Sequence, residues 1–223
     1  GAINIVTRED ECDLVGFTQE LASFGTSKTL TSAQKLFAKS GILFNVAFFK
    51  NKSKNNYTMS WPVFETNLPV SEYRKVRRNN DYYDADFYHV GIGFRKLYFD
   101  KLDLECAFYR NKKGIQSLNF DSQHAYIKGF NIMPTLHIEK DDFIFKGLEM
   151  KLSLVIPIIQ TSLIDTTTTR RQWDGTITQA MGETEDNLLN ESHNLQFELR
   201  NKFNLKYTFG QHTFNINNQL ALS

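Results

Sequence analysis

From Leu195 to Phe209 the chain alternates in a way that only an extended strand can use. Leu195, Phe197, Leu199, Asn201, Phe203, Leu205, Tyr207 and Phe209 fall on every second position, and seven of these eight are apolar. Between them lie Gln196, Glu198, Arg200, Lys202, Asn204, Lys206 and Thr208, all polar. Successive side chains of a strand point to opposite faces, whereas a helix would scatter the same residues around its axis. A strand of about 15 residues at about 3.4 Å each spans roughly 50 Å, against about 5–6 residues for an ordinary globular strand. The chain must therefore build a tall sheet with one apolar and one polar face.

The same period recurs upstream. Ile144, Lys146, Leu148, Met150, Leu152, Leu154, Ile156 and Ile158 share one face, opposite Phe145, Gly147, Glu149, Lys151 and Ser153. Tyr126, Lys128, Phe130, Ile132, Pro134, Leu136 and Ile138 share another. Shorter alternating runs are Ile42–Phe48, Tyr57–Val63, Tyr88–Phe94 and Leu102–Phe108, and His212–Leu222 is the last. The eight predicted strands are joined by connections that alternate short and long: 50–55, 100–101, 139–142 and 210–211 are short, and 65–84, 111–122 and 164–193 are long. In an up-and-down antiparallel order, all short turns fall at one end of the sheet and all long loops at the other.

Composition agrees with an all-β chain. Phe (19) and Tyr (9) far outnumber Trp (2), and both favour strands. No run approaches the roughly 18 apolar residues of a spanning helix. The mean hydropathy of -0.41 does not exclude a membrane barrel, which needs apolar residues at alternate positions only. A net charge of +1 lacks the basic field of a generic nucleic-acid binder. Cys12 and Cys106 are too few for a disulfide scaffold or a four-thiolate zinc site. No histidine has zinc-type spacing, and no cofactor or metal is expected.

Residues 1–40 read differently from 41–223. The acidic cluster Glu9–Asp13 precedes a Ser/Thr-rich stretch, and Ser32 has the character of a cap for a short helix over Ala33–Lys39. The expected organisation is a partly helical N-terminal arm, 1–40, and a β-barrel domain, 41–223, of about eight to ten strands. A further strand within Val6–Leu36 would bring the N-terminus to the short-turn end.

The long alternating strands, the Phe/Tyr/Asn-rich composition and the sorted connections of residues 41–223 resemble small bacterial outer-membrane β-barrel proteins. The resemblance implies a bacterial outer-membrane location. Leu148, Met150, Leu152, Leu154, Leu195, Phe197, Leu199, Phe203 and Leu205 would then face lipid. The alternative is a soluble, periplasmic or secreted barrel or sandwich, in which those residues form a core around an apolar ligand. The resemblance also implies that function resides in the long loops, as surface recognition, scaffolding or docking of a protein partner, with membrane lipid or lipopolysaccharide as the other partner.

Two loop clusters carry the strongest charge. Arg74, Lys75, Arg77 and Arg78 follow the second predicted strand, and Arg170 and Arg171 lie in the last long loop. Guanidinium groups bind phosphate in bidentate fashion, so a shared rim would form a joint anionic-ligand site; solvated loop charge is the plain alternative. For acyl hydrolysis a Ser with a His base is required. His137 and Ser153 lie on adjacent predicted strands, but alternation leaves their register open, and no catalytic residue is assigned.

Overall fold

A computed structural model describes residues 12–63, 72–95, 97–184 and 189–222. Its strands, in chain order, begin with β1 (Leu14–Ala22), β2 (Thr26–Phe37), β3 (Ile42–Ser53), β4 (Thr58–Val63) and β5 (Glu72–Arg77). There follow β6 (Tyr83–Phe94), β7 (Lys101–Gly114), β8 (Tyr126–Lys140), β9 (Leu148–Val155) and β10 (Ile158–Asp165). The last five are β11 (Thr169–Arg171), β12 (Ile177–Gln179), β13 (Asn190–Phe197), β14 (Leu199–Phe209) and β15 (His212–Leu222). No helix occurs among the described residues.

Eleven of these strands form one antiparallel sheet. β9 and β10 are a single extended run interrupted at Ile156-Pro157, because proline has no N–H to give the ladder. The register carries through the gap: Val155 lies opposite Thr135 and Ile158 opposite Ile132. β13 and β14 are likewise one run, with Phe197 opposite Ile158 and Arg200 opposite Val155. The Ile156 amide donates to Pro134 O and the Glu198 amide to Pro157 O, each at 3.0 Å, bridging the two gaps. Counting each run once, nine positions cross the sheet in the order β1, β2, β3, β6, β7, β8, β9–β10, β13–β14, β15. The alternation over Leu195–Phe209 is thus one register-continuous strand.

Three expectations need correction. The partly helical arm is two strands. β1 pairs β2, and β2 pairs β3 with Phe37 opposite Ile42 and Ser27 opposite Lys52. Ala33–Phe37 looked helical because its polar and apolar positions alternate weakly; the ladder offered by β3 decides the conformation. Glu9, Asp10 and Glu11 lie outside the described residues. Second, β4 is not a position in the main sheet. It pairs only with β5, as a hairpin inside the connection from β3 to β6, and β3 pairs β6 directly. Third, no closed barrel forms among the described residues: β1 and β15 are open edges. With nine positions the two edges run in the same direction, so the antiparallel pattern that joins every other pair cannot join these two.

The connections sort by length only in part: the tight turn 23–25 and the connection expected to be short at 50–55 both fall at the long-loop end. Turns 38–41, 95–100, 141–147 and 210–211 lie at one end of the sheet. The excursions 54–82, 115–125 and 166–189 lie at the other, together with the tight turn 23–25. At the short-turn end Gly147 adopts φ +85°, and a Cβ there would stand 2.7 Å from Thr208 O. Glycine alone fits that approach.

Few apolar side chains are buried. Among the described residues six hydrophobic side chains are buried, Leu43, Val76, Ala85, Ala107, Ala125 and Met150, against ten polar or charged ones. A soluble sheet of this size would bury its apolar face.

Candidate functional site

Register places the predicted apolar stripes of the main sheet on one face; Tyr57–Val63 lies outside it. Phe44, Ile92, Leu104, Leu136 and Leu154 follow one another across β3, β6, β7, β8 and β9. Nearer the long loops, Phe48, Tyr88, Phe108, Ile132, Ile158 and Phe197 form a second row. Its rings interlock: Phe48 and Tyr88 have centroids 5.1 Å apart, Tyr88 and Phe108 5.8 Å, and Phe108 and Phe130 5.1 Å. This face is open. Val90 is 48% exposed, Leu104 47%, Phe197 58% and Leu195 70%. Leu148, Leu152, Leu154, Leu199, Phe203 and Leu205 are half-buried by their neighbours on the same face. Met150 alone of the predicted set is buried. It lies at the short-turn end, where the 141–147 turn sets the Phe145 ring 5.2 Å from that of Tyr207 on the apolar face.

The opposite face carries most of the polar side chains and several ion pairs, some of them partly exposed. Arg95 meets Asp103 at 2.5 Å, Lys151 meets Glu139 at 2.9 Å, and Lys206 meets Glu149 at 3.0 Å. His89 stands 3.5 Å from Glu105. Glycines make room for these groups: a Cβ on Gly91 would lie 2.5 Å from Asn45 Oδ1, and one on Gly93 2.5 Å from Asp103 Oδ1.

His137 and Ser153 stand directly opposite each other in register. The imidazole Nε2, however, is turned to Glu139 Oε1 at 2.6 Å. A serine–histidine hydrogen bond forms elsewhere, between Ser162 Oγ and His193 Nδ1 at 2.8 Å. Ser162 is only 1% exposed, so its hydroxyl is a bonded floor of the sheet rather than an offered nucleophile.

The three excursions form one folded cap. Glu183, 3% exposed, accepts the backbone N–H groups of Gln123 (2.9 Å), His124 (2.6 Å) and Ala125 (3.1 Å) on Oε2. Asp165, at the end of β10, accepts the amides of Glu183 (2.7 Å) and Thr184 (2.8 Å). Asn80 Nδ2 donates to Ala125 O at 2.7 Å, and the Gln116 side chain accepts the amides of Asn79 and Asn80. Trp173 Nε1 donates to Leu118 O at 2.8 Å.

The charged loop residues divide on this frame. Arg170 is buried, donating to Gly182 O and Thr184 O and lying 4.0 Å over the Phe120 ring; it holds the cap together and does not present its guanidinium to solvent. Arg171 lies 3.7 Å from Asp121. Arg78 pairs with Asp81 at 3.1 Å beside Tyr57. Lys75 and Arg77 are exposed on β5, and Arg74 is half-buried. The Asp174 carboxyl is held below the usual range, first by the Thr176 amide and hydroxyl and further by the charge of Arg74. Both basic segments lie in excursions at the same end of the sheet.

Sequence reasoning missed Glu183, Asp165 and Asn80, since single acidic or amide residues in polar loops carry no periodic signal. It also passed over Lys50 after Phe48 and Lys128 before Phe130, which repeat the same step from aromatic to cation. Compared with known protein families, curated proteins and solved structures, the chain finds no match.

Proposed function

We propose that this chain is an outer-membrane β-sheet protein of the barrel type, with its apolar face toward lipid, its ion-paired face lining the interior, and its loop cap serving recognition at the surface. The observation that carries the reading is the sorting of the two faces: large apolar side chains are exposed on one continuous face while the other face carries the ion pairs. In water that arrangement exposes surface that should be buried; in a bilayer both faces are matched to their surroundings. On β9–β10 the apolar stripe runs from Leu148 to Ile158. Ten steps at about 3.4 Å, tilted by about 40°, project to about 26 Å, close to the roughly 25 Å apolar band of such proteins. Phe48, Tyr88, Phe108 and Phe130 sit where that band meets the loop end, the place of an interfacial aromatic girdle. The reading requires β1 and β15 to find strand partners in the membrane, because an open edge in lipid leaves N–H and C=O groups unsatisfied.

The alternative, a soluble sheet holding an apolar ligand, needs the apolar face enclosed, and no described segment covers its central rows. Size-exclusion chromatography with and without detergent, followed by gel migration before and after boiling, separates the two. The membrane reading expects aggregation without detergent and one heat-modifiable species with it. A monodisperse species in buffer alone refutes it.

A further inference from the structure

Immediately beyond the aromatic row, on the same apolar face, two consecutive rows change character. The first reads Lys50, Asp86, Arg110, Phe130 and Gln160 across β3, β6, β7, β8 and β10. The second reads Lys52, Asp84, Lys112, Lys128 and Ser162 across the same strands. With Lys54 these rows line a cleft of about 700 Å³ that opens on the face otherwise given to apolar side chains.

The cleft holds six cations, Lys50, Lys52, Lys54, Arg110, Lys112 and Lys128, against two carboxylates, Asp84 and Asp86. The carboxylates are already committed. Asp86 is bonded by Lys50 at 2.8 Å and by Arg110 at 2.7 Å, and Asp84 lies 3.3 Å from Lys50. Lys112 is held 4.0 Å over the Tyr126 ring. Among the described residues Lys52, Lys54 and Lys128 make no ion pair. The cleft thus has a rigid, neutralised centre at Asp86 and a surplus of positive charge around it. Loop-end solvation does not account for this sorting, because all six cations come from the neighbourhood of one face.

We infer that this cleft binds the phosphorylated headgroup of a membrane lipid, whose acyl chains lie on the apolar rows below it. The occupant is fixed by charge and by continuity. Uncompensated ammonium groups call for a multiply charged anion, and phosphate accepts several such hydrogen bonds at once. The Phe48–Tyr88–Phe108 row, one step away along the strands, calls for hydrocarbon attached to that anion. The site is distinct from Arg74–Arg78 and Arg170–Arg171, which belong to the loop cap. The inference rests on the membrane reading above.

The test uses the full chain in detergent micelles, with bis-phosphorylated lipid A, its dephosphorylated form and inorganic phosphate as probes, and native mass spectrometry as the readout. The variant is K52Q/K54Q/K128Q, which removes the three cations without ion pairs and so leaves Asp84 and Asp86 partnered. Wild type is expected to retain the phosphorylated lipid at least tenfold more tightly than the dephosphorylated one, with inorganic phosphate a weak competitor. The variant is expected to lose most of that margin while keeping its heat-modifiable migration. Equal binding of the two lipids, or an unchanged margin in the variant, overturns the inference. Competition by inorganic phosphate at the concentration of the lipid itself overturns the lipid assignment and leaves a plain anion site. If the protein stays detergent-dependent while any of these is seen, only the cleft assignment falls; if it needs no detergent, the membrane reading falls first.

Discussion

Glu183 is the latch between two of the three loops, and its removal has a selective consequence. Its Oε2 accepts three consecutive backbone N–H groups, those of Gln123, His124 and Ala125, in a site where the residue is 3% exposed. Hydrogen bonds to a charged group contribute about 1.5–3 kcal/mol each, against about 0.5–1.5 for neutral pairs. Glu183→Gln keeps an acceptor oxygen but loses the charge, about 1 kcal/mol per bond and about 3 kcal/mol in all. At about 1.4 kcal/mol per factor of ten, the Gln123–Ala125 amides should exchange on the order of 100-fold faster. Glu183→Ala leaves three buried donors without an acceptor and should accelerate them further. The amides of Glu183 and Thr184 are held by Asp165, which the substitution does not touch. Hydrogen exchange at residue resolution should therefore show 123–125 released and 183–184 protected. Equal acceleration in both segments, or none in 123–125, refutes the idea of a local latch.

Other consequences of the structure are open to direct measurement. Val90→Arg places a charge in the middle row of the apolar face and should cost about 2–4 kcal/mol of folding stability in lipid vesicles, measured by urea titration; a change within about 0.5 kcal/mol is what a solvent-exposed position gives and would remove lipid from that face. Gly114→Ala drives a Cβ into the Asn80 carbonyl and should cost about 1–3 kcal/mol by overpacking, seen as a lower denaturation midpoint. Asp100 is held below the ordinary carboxyl range, first by the Asp141 amide and then by Lys140. A depressed folded value means that its link between turns 95–100 and 141–147 is present above the unfolded value of about 3.9 and is lost as pH falls through the lower folded value. The Asp141 amide should thus stay protected from pH 7 down to about 4, and release between pH 5 and 7 would contradict the assignment. The proposed membrane placement requires the outward amides of edge strand β15 to be as protected as those of β14, since lipid tolerates no open edge; fast exchange there refutes that placement for this edge.

How much of this was legible beforehand depends on the kind of interaction. Alternation placed Leu195–Phe209 in one strand because side-chain direction in a strand is set by the backbone alone. The interruption at Glu198 and the one at Pro157 left the register intact. The expected sorting of loops held for the turns 95–100, 141–147 and 210–211 but not for 50–55, which opens the β4–β5 excursion at the long-loop end. β1 and β2 were misread because Thr26–Phe37 carries little alternation of its own, and its conformation depends on β3. The site was less legible: that Arg170 turns inward while Lys75 stays outside depends on Phe120 and on carbonyls of Gly182 and Thr184, which no local pattern announces.

The sequence by itself determined that the chain makes long strands with one apolar and one polar face, because period two is a local property of the backbone. It left open which face meets the surroundings. What the tertiary structure added is which residues share a face across strands, because that depends on register: it sets Phe44, Ile92, Leu104, Leu136 and Leu154 in one row, and Lys151 beside Glu139 on the other face. The lysine rows, too, become a single cleft only when β3, β6, β7, β8 and β10 are set side by side in register.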